Sequence, residues 1–312
     1  MKALVTGGAG FIGSQIAEAL CRRGAQVVVL DDLSLGSIDN LAWKKPGDTL
    51  EFIQGDAGDE ALLRKILPGC DWVFHEAALP SVPWSVAEPV KSNAQNLDAA
   101  LKLLVAARDA KVKRFVFASS SAIYGDSPVS PKHEDLPPNP LSPYALQKYA
   151  AETYARQFHA LFGLETVSLR YFNVFGPRQS FDSPYSGVIA KFCTMLLKGE
   201  RPKIFGDGLQ SRDFIYVANV VAANLLAAET PADRVAGKVF NVAGRQNVTL
   251  LDLLAELNRL TSQTLQPHFE PSRIGDVRHS LADITALQQA TGYQVTVPWQ
   301  EGLRHTLDFY RR

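Results

Sequence analysis

The sequence predicts an α/β chain, a doubly wound parallel sheet with a smaller mixed α/β C-terminal lobe, and three observations carry that expectation. Short β-rich apolar runs at 2–5, 26–30, 51–53, 72–74 and 114–118 alternate with helical patterns at 11–23, 59–67 and 94–110. Strand–helix alternation of this kind gives a parallel sheet covered by helices on both faces. The first apolar run turns through glycines directly into a helical pattern, and beyond about residue 175 the alternation loosens.

The first run, Lys2-Ala3-Leu4-Val5, leads into Thr6-Gly7-Gly8-Ala9-Gly10-Phe11-Ile12-Gly13. Glycines 8, 10 and 13 fit G-x-G-x-x-G, and glycines 7, 10 and 13 fit G-x-x-G-x-x-G. Such glycines let the backbone turn tightly and approach a pyrophosphate, while the new helix offers its free N–H groups and positive dipole end. Gly7, Gly10, Phe11, Ile12 and Gly13 are therefore candidate cofactor contacts. The second run, Gln26-Val27-Val28-Val29-Leu30, ends in Asp31-Asp32. An acid about 20 residues after the glycines is placed to hold a ribose hydroxyl pair. A 2′-phosphate there would be repelled, so the unit reads as a Rossmann-type site for NAD rather than NADP.

The fifth run, Arg114-Phe115-Val116-Phe117-Ala118, closes in Ser119-Ser120-Ser121, which should emerge at the carboxyl edge of the sheet beside the dinucleotide crevice. A serine there can hydrogen-bond a substrate oxygen. The prolines from Pro128 to Pro143 read as a loop over that edge, after which Ser142 can cap a helix with Pro143 in its first position. Tyr144 and Lys148 then stand one turn apart on one face. An ammonium beside a phenol favours phenolate, which is a usable base. A strand at 165–169 follows. Helices near 186–198, 217–228, 249–261 and 299–309, with strands near 203–205 and 238–242, form a lobe that completes a substrate pocket and can lend strands to the main sheet. The expected division is residues 1–175 mainly for NAD and 176–312 mainly for substrate.

Composition limits the alternatives. With 312 residues, 46% of them hydrophobic, the chain can bury a large core. Lys+Arg and Asp+Glu are both 32, so no overall field favours nucleic acid or an anionic membrane. Cys21, Cys70 and Cys193 are widely separated and odd in number, as expected of reduced thiols in a cytoplasmic protein. The N-terminus runs straight into the first strand, and no apolar stretch reaches membrane-spanning length. The six histidines lack metal-ligand spacing, so no metal is expected.

Taken together, Thr6–Gly13, Ser119-Ser120-Ser121-Ala122-Ile123-Tyr124-Gly125, Tyr144-x-x-x-Lys148 and Leu169-Arg170-Tyr171-Phe172-Asn173-Val174-Phe175-Gly176 resemble the extended short-chain dehydrogenase/reductase family, and its UDP-sugar 4-epimerases most. The similarity runs on through Gly206-Asp207-Gly208 and Ser211-Arg212-Asp213-Phe214 to Arg273-Ile274-Gly275-Asp276. The resemblance implies that Tyr144 is the catalytic base and that Lys148 holds the nicotinamide ribose and lowers the tyrosine pKa. It implies a substrate contact from Ser120 or Ser121, and alignment on Tyr124 favours Ser120. By the same resemblance Asp56-Ala57 flank the adenine, Ala77-Ala78 and Asn93 line the cofactor path, and Asn173, Arg212, Arg273 and Asp276 hold the nucleoside diphosphate. Two arginines suit that group, being permanently charged and forked.

Dehydratases and decarboxylases of this family carry acids just after the hydroxyl residue, where this chain has Ser121 and Ala122. The resemblance therefore implies epimerisation at C4 of a UDP-hexose through a 4-keto sugar, with a uronate 4-epimerase, a dehydratase or a non-catalytic NAD-binding protein as the alternatives. Ser280 resembles the position at which a bulky tyrosine excludes N-acetyl groups; a serine there implies that UDP-GlcNAc and UDP-GalNAc fit beside UDP-Glc and UDP-Gal. A serine capping the next helix is the other reading of Ser280. Ala78-Leu79-Pro80-Ser81-Val82-Pro83-Trp84-Ser85 is similar to the N-acetylhexosamine branch. The helices at 94–110 and 143–162 resemble those that pair subunits in the family, implying a homodimer, although their apolar faces can equally serve the core.

Overall fold

The computed structural model describes residues 1–181, 187–271 and 278–311. Six strands, β1 (Lys2–Thr6), β2 (Gln26–Asp31), β3 (Leu50–Gln54), β4 (Trp72–His75), β5 (Arg114–Ser120) and β6 (Glu165–Tyr171), are joined by an edge strand, Lys238–Val242, in one sheet. The order is edge strand, β6, β5, β4, β1, β2, β3, and every pairing is parallel. The chain runs outward from β1 through β2 to β3, then returns to β4 on the other side of β1. That reversal opens a crevice at the carboxyl ends of β1 and β4, where ligands bind in open α/β sheets.

The central strands β1, β2 and β4 are mostly apolar because both faces are covered, whereas β5 and β6 also bury Arg114, Ser119 and Arg170. Successive residues point to opposite sides. Val5, Val27, Val29, Val116 and Leu169 join one core with Ile16 and Leu20 of α1 (Phe11–Arg22). Leu4, Val28, Val73, Phe115 and Phe117 join the other, with Leu63 of α2 (Glu60–Ile66), Leu103 of α5 (Ala99–Asp109) and Phe158 of α6 (Pro143–Phe162). A third cluster in the C-terminal half packs Phe175, Phe192, Phe214 and Leu253 around α7 (Val188–Leu197). The later chain also returns to the main sheet: α8 (Val217–Glu229) packs on α1, and the edge strand pairs with β6.

Residues 82–98 depart from the sequence expectation. The short helices α3 (Val82–Ala87) and α4 (Pro89–Asn93) precede the expected helix at 94–110, and Ala94–Asp98 forms a π turn before α5. Pro83 and Pro89 sit in the first turns of α3 and α4, where a missing N–H costs nothing. Helices α5 and α6, expected to pair subunits, bury Leu103, Leu104 and Ala155 in the intrachain core while Leu146, Leu161 and Phe162 remain exposed. No helix among the described residues is long and apolar enough to cross a membrane, and the three cysteines are buried free thiols.

Helix α6 is fixed at both ends and in its middle. Ser142 Oγ accepts the Ala145 N–H at 3.2 Å, Pro143 fills the first position, and Gly163 ends the helix in the left-handed region. Midway, Glu152 meets Arg170 of β6 in an ion pair of 2.6 Å whose side chains are 1% and 4% exposed. Glu152 also accepts from Ser119 Oγ at 2.7 Å, and Arg170 Nη1 donates to Tyr124 Oη at 2.9 Å. Removing one partner leaves the other charge buried and uncompensated. Glu152→Ala should therefore lower the unfolding free energy by ~3–5 kcal/mol in urea denaturation. The exposed Arg311–Asp308 pair should matter far less; equal losses from Glu152→Ala and Asp308→Ala would contradict this reading.

Candidate functional site

The glycine turn is closed by steric fit. Gly7 has φ +64°, and a Cβ there would lie 2.6 Å from the Ala77 nitrogen. A Cβ on Gly13 would lie 2.3 Å from the Gly7 carbonyl oxygen, closer than any side chain allows. Helix α1 therefore starts against β1, with Gly10 as its N-cap and neither a capping side chain nor an acid in its first turn. The N–H groups at the start of a helix lack intrahelical partners and favour an anion. Phe11, Ile12 and Gly13 occupy that turn.

Of the two acids after β2, only Asp31 faces this turn. It is 7% exposed, and its carboxylate accepts the Ala9 N–H at 2.9 Å and the Leu33 N–H at 2.8 Å. Burial raises its pKa, opposed by those N–H bonds. Asp32 is exposed and accepts from the Ser34 N–H at 2.9 Å. The Gly55 N–H donates to the Asp31 carbonyl at 3.0 Å, which brings Asp56 and buried Ala57 alongside. Asn40 is a contributor that the sequence did not single out: its Nδ2 donates to the Ala9 carbonyl at 2.9 Å, beside the Ser37 N–H at 3.0 Å. Asn40 lies in a polar, turn-rich stretch with no periodic signal. A cradle that a Cβ would fill, followed by an acid at the second strand's end, fits NAD.

After β4 the backbone crosses the cradle. The Ala77 N–H donates to Thr6 Oγ1 at 3.4 Å, and Ala78 follows. The next residue, Leu79, is gripped from both sides by Asn96, whose Oδ1 accepts its N–H at 2.7 Å and whose Nδ2 donates to its carbonyl at 3.3 Å. Gln147 Oε1 accepts from both Asn96 Nδ2 and Ser92 Oγ. Asn93, expected on this path, instead donates to Asp98 Oδ1 at 3.0 Å on an exposed stretch of helix. The π turn breaks the regular helical spacing between the two asparagines, and π turns concentrate at functional sites.

Tyr144, Ser120 and Lys148 meet at the carboxyl edge. Tyr144 is 9% exposed and its hydroxyl interacts with the Ser120 side chain. Its N–H, one of the unpaired groups of the first turn of α6, donates to Ser85 Oγ at 3.1 Å. Ser120 Oγ also accepts the Ala122 N–H at 3.2 Å, while half-buried Ser121 opens the short turn Ser121–Tyr124. Lys148 Nζ donates to the Ala118 carbonyl at 2.9 Å and lies 5.0 Å from the centroid of the Phe117 ring. Burial pushes Lys148 down to about 8, opposed by the charge of Glu76. The expected lowering of Tyr144 is not what the protein alone produces: burial raises its pKa, and only the Ser120 hydrogen bond opposes that. Desolvation of the phenolate dominates, and the lysine's ammonium is directed at Ala118 instead.

The substrate side gathers around Asp213, which is fully buried. Its Oδ1 accepts the N–H groups of Gly244 and Gln246 and its Oδ2 that of Ala282, at 2.8, 3.4 and 3.0 Å. Burial pushes it up to about 6 against these bonds. Asn173 donates to the Asp213 carbonyl through both its N–H and Nδ2, at 3.2 Å each. Arg212 Nη1 donates to the Ser211 carbonyl at 2.9 Å, and the Ser280 N–H reaches the same carbonyl at 3.2 Å. The Ser211 carbonyl thus gathers Arg212 and Ser280, and the Asp213 carbonyl two residues on holds Asn173. The next helix, Thr285–Thr291, has Ile284 at its N-cap and takes an N–H bond from Thr285 to Asp283, so Ser280 does not cap it. Arg273 and Asp276 lie outside the described residues. No group of three His, Cys, Asp or Glu among the described residues could hold a metal.

The family model described as NAD dependent epimerase/dehydratase family matches residues 3–243. The chain is 38% identical over 315 residues to a UDP-glucose 4-epimerase of Mycolicibacterium smegmatis, covering 100% of this chain and 99% of that protein. Among solved structures, a UDP-N-acetylglucosamine 4-epimerase from Methanobrevibacter ruminantium in complex with UDP-N-acetylmuramic acid superposes with a TM-score of 0.93 at 43% identity, covering 99% of this chain and 98% of that one. A UDP-glucose 4-epimerase from Thermotoga maritima with UDP-glucose gives a TM-score of 0.93 at 39% identity, covering 100% and 99%. If the cradle holds the cofactor, Gly13→Ala should weaken NAD binding at least about tenfold, ~1.4 kcal/mol, in calorimetric titration of cofactor-stripped protein. Unchanged affinity would move the cofactor elsewhere.

Proposed function

Because the chain belongs to the NAD dependent epimerase/dehydratase family, we propose that it interconverts the C4 epimers of a UDP-hexose through a 4-keto sugar and that its pocket accepts N-acetylated hexoses. One observation carries the reading: a buried tyrosine hydroxyl paired with Ser120, with Lys148 one helical turn further on, stands at the mouth of the glycine cradle. Residues 1–175 mainly serve the cofactor and 176–312 mainly the nucleotide sugar.

In this reading Asp31 holds the adenosine ribose, the first turn of α1 holds the pyrophosphate, and Lys148 orients the nicotinamide ribose. Bound NAD supplies a reversible acceptor for the C4 hydride and a positive ring beside the phenol. Tyr144 Oη takes the 4-hydroxyl proton, Ser120 Oγ holds the same oxygen by a hydrogen bond, and Tyr144 returns the proton after the sugar has presented its other face. The rise in the Tyr144 pKa has a use here. The phenol stays neutral until positive charge arrives with the cofactor, so base strength develops only in the loaded pocket. In the same reading Arg212 and Asn173 hold the diphosphate, and Ser280, bonded to the strand that carries Arg212, gates the sugar. Ser121 and Ala122 offer no carboxylate next to Ser120, which favours epimerisation over dehydration.

Two measurements test this. Proton NMR of purified protein with UDP-GlcNAc or UDP-Glc, without added NAD, should show the 4-epimers appearing. Tyr144→Phe should slow that conversion by ~10²–10⁴-fold while NAD remains bound, and an active variant would end the assignment of Tyr144. Ser280→Tyr should remove the acetylated substrates selectively; equal loss on both classes would refute the gate.

A further inference from the structure

A carboxylate that the proposed chemistry does not use is built into the floor of this crevice. Glu76 follows β4 directly, its N–H donates to the Thr6 carbonyl at 3.2 Å, and its carbonyl carbon would lie 2.9 Å from a Cβ on Gly7. It is therefore fixed against the glycine turn. Its Oε1 accepts from Tyr171 Oη at 2.8 Å. Tyr171 in turn accepts from Asn224 Nδ2 at 2.7 Å, and that amide is anchored to the Val220 carbonyl of α8 at 2.9 Å. Loop, β6 and α8 thus hold one acid in place, and a half-buried carboxylate held this firmly is favoured by a cation nearby.

Among the described residues, the groups that face this acid leave one candidate. From α6 comes Lys148: the β4–β5 register pairs His75 with Phe117, so Glu76 leaves the sheet alongside Ala118, whose carbonyl accepts from the Lys148 ammonium, and the two charges interact. From β4 comes His75, which accepts from or donates to Thr6 Oγ1 at 2.7 Å and is kept neutral by burial, its pKa down at about 3. From β6 comes Tyr171, neutral because burial and the neighbouring carboxylate raise its pKa well above its ordinary value. Glu152, one turn beyond Lys148 on α6, is occupied by Arg170 and Ser119. Tyr144 lies one turn before Lys148 and is neutral in the protein alone.

We propose that Glu76 is a positioning residue of the site, a fixed, half-buried carboxylate that keeps Lys148 in its charged form. This rests on the reading of Tyr144 and Lys148 as the acting pair. Burial pushes Glu76 up to about 7, opposed by the Tyr171 bond and Lys148, and pushes Lys148 down to about 8, opposed by Glu76. Each charge supports the other in a pocket that penalises both. Between these values the pair is poised, and losing the carboxylate charge would let Lys148 shed its proton at lower pH.

Glu76→Gln tests this, because the amide oxygen can still accept from Tyr171 while the charge is gone. The readout is the titration of Lys148 in full-length protein labelled with carbon-13 at lysine Cε, its signal identified by its absence in Lys148→Arg. In Glu76→Gln the Lys148 midpoint should fall by about one pH unit or more, a tenfold change in its acidity, and the alkaline limb of kcat should move down with it. Tyr171→Phe removes the bond that favours the ionised carboxylate and should move Lys148 in the same direction by less, so it carries the test if Glu76→Gln does not fold. An unmoved Lys148 titration in the folded variant overturns the proposal. The titration needs no turnover, so failure of the parent protein to epimerise UDP-sugars would count against the proposed function and leave this measurement standing.

Discussion

The approach of Gly13 to the Gly7 carbonyl is the constraint on which the rest of the cofactor crevice depends. With no room for a Cβ there, α1 can begin only where it packs directly on β1, and its unpaired N–H groups open into the gap between β1 and β4. The same tight turn leaves the Ala9 N–H for Asp31, so the acid that would hold the ribose also closes the loop that would hold the phosphates. Ala77 crosses close above Gly7. One backbone contact thus aligns three segments that are distant in sequence, which is why glycine at these positions matters more than any single side chain.

A second layer of order comes from buried polar groups rather than from packing alone. Glu152, Arg170, Ser119 and Tyr124 form a satisfied network directly beneath the edge that carries Ser120 and Lys148. Tyr144, Lys148 and Glu152 follow one another at four-residue intervals on α6, so one helical stripe carries two site residues and the anchor that fixes them. Buried ion pairs are weak evidence for stability, since desolvation offsets their attraction. Here the pair instead sets the register of α6 on β5 and β6, to which Ser119 and Arg170 belong.

Beyond residue 175 the described residues form only short two-stranded sheets of their own. The edge strand and α8 complete the main sheet layer, and a smaller core around Phe175, Phe214 and Leu253 supports the strand pair that holds Asn173. Asp213 ties 211–213, 244–246 and 282 into one platform through backbone N–H groups, a role no local pattern announces.

Much of this was legible in the sequence, because it depends on local chemistry. The glycine spacing, the apolar runs, Ser142-Pro143 at the start of α6 and the four-residue step from Tyr144 to Lys148 are set by backbone sterics and helical or strand periods, and each occurs where the residues place it. Tertiary structure decided the choices between neighbours. Adjacent strand-end residues point opposite ways, so only the position of the crevice selects Asp31 over Asp32 and sets Ser120 beside Tyr144. A π turn, invisible to helical periodicity, presents Asn96 to Leu79 and leaves Asn93 with Asp98. The protonation of Tyr144, Lys148 and Glu76 was not readable from residue type either, because desolvation depends on everything packed around a group and little on the residues beside it in the chain.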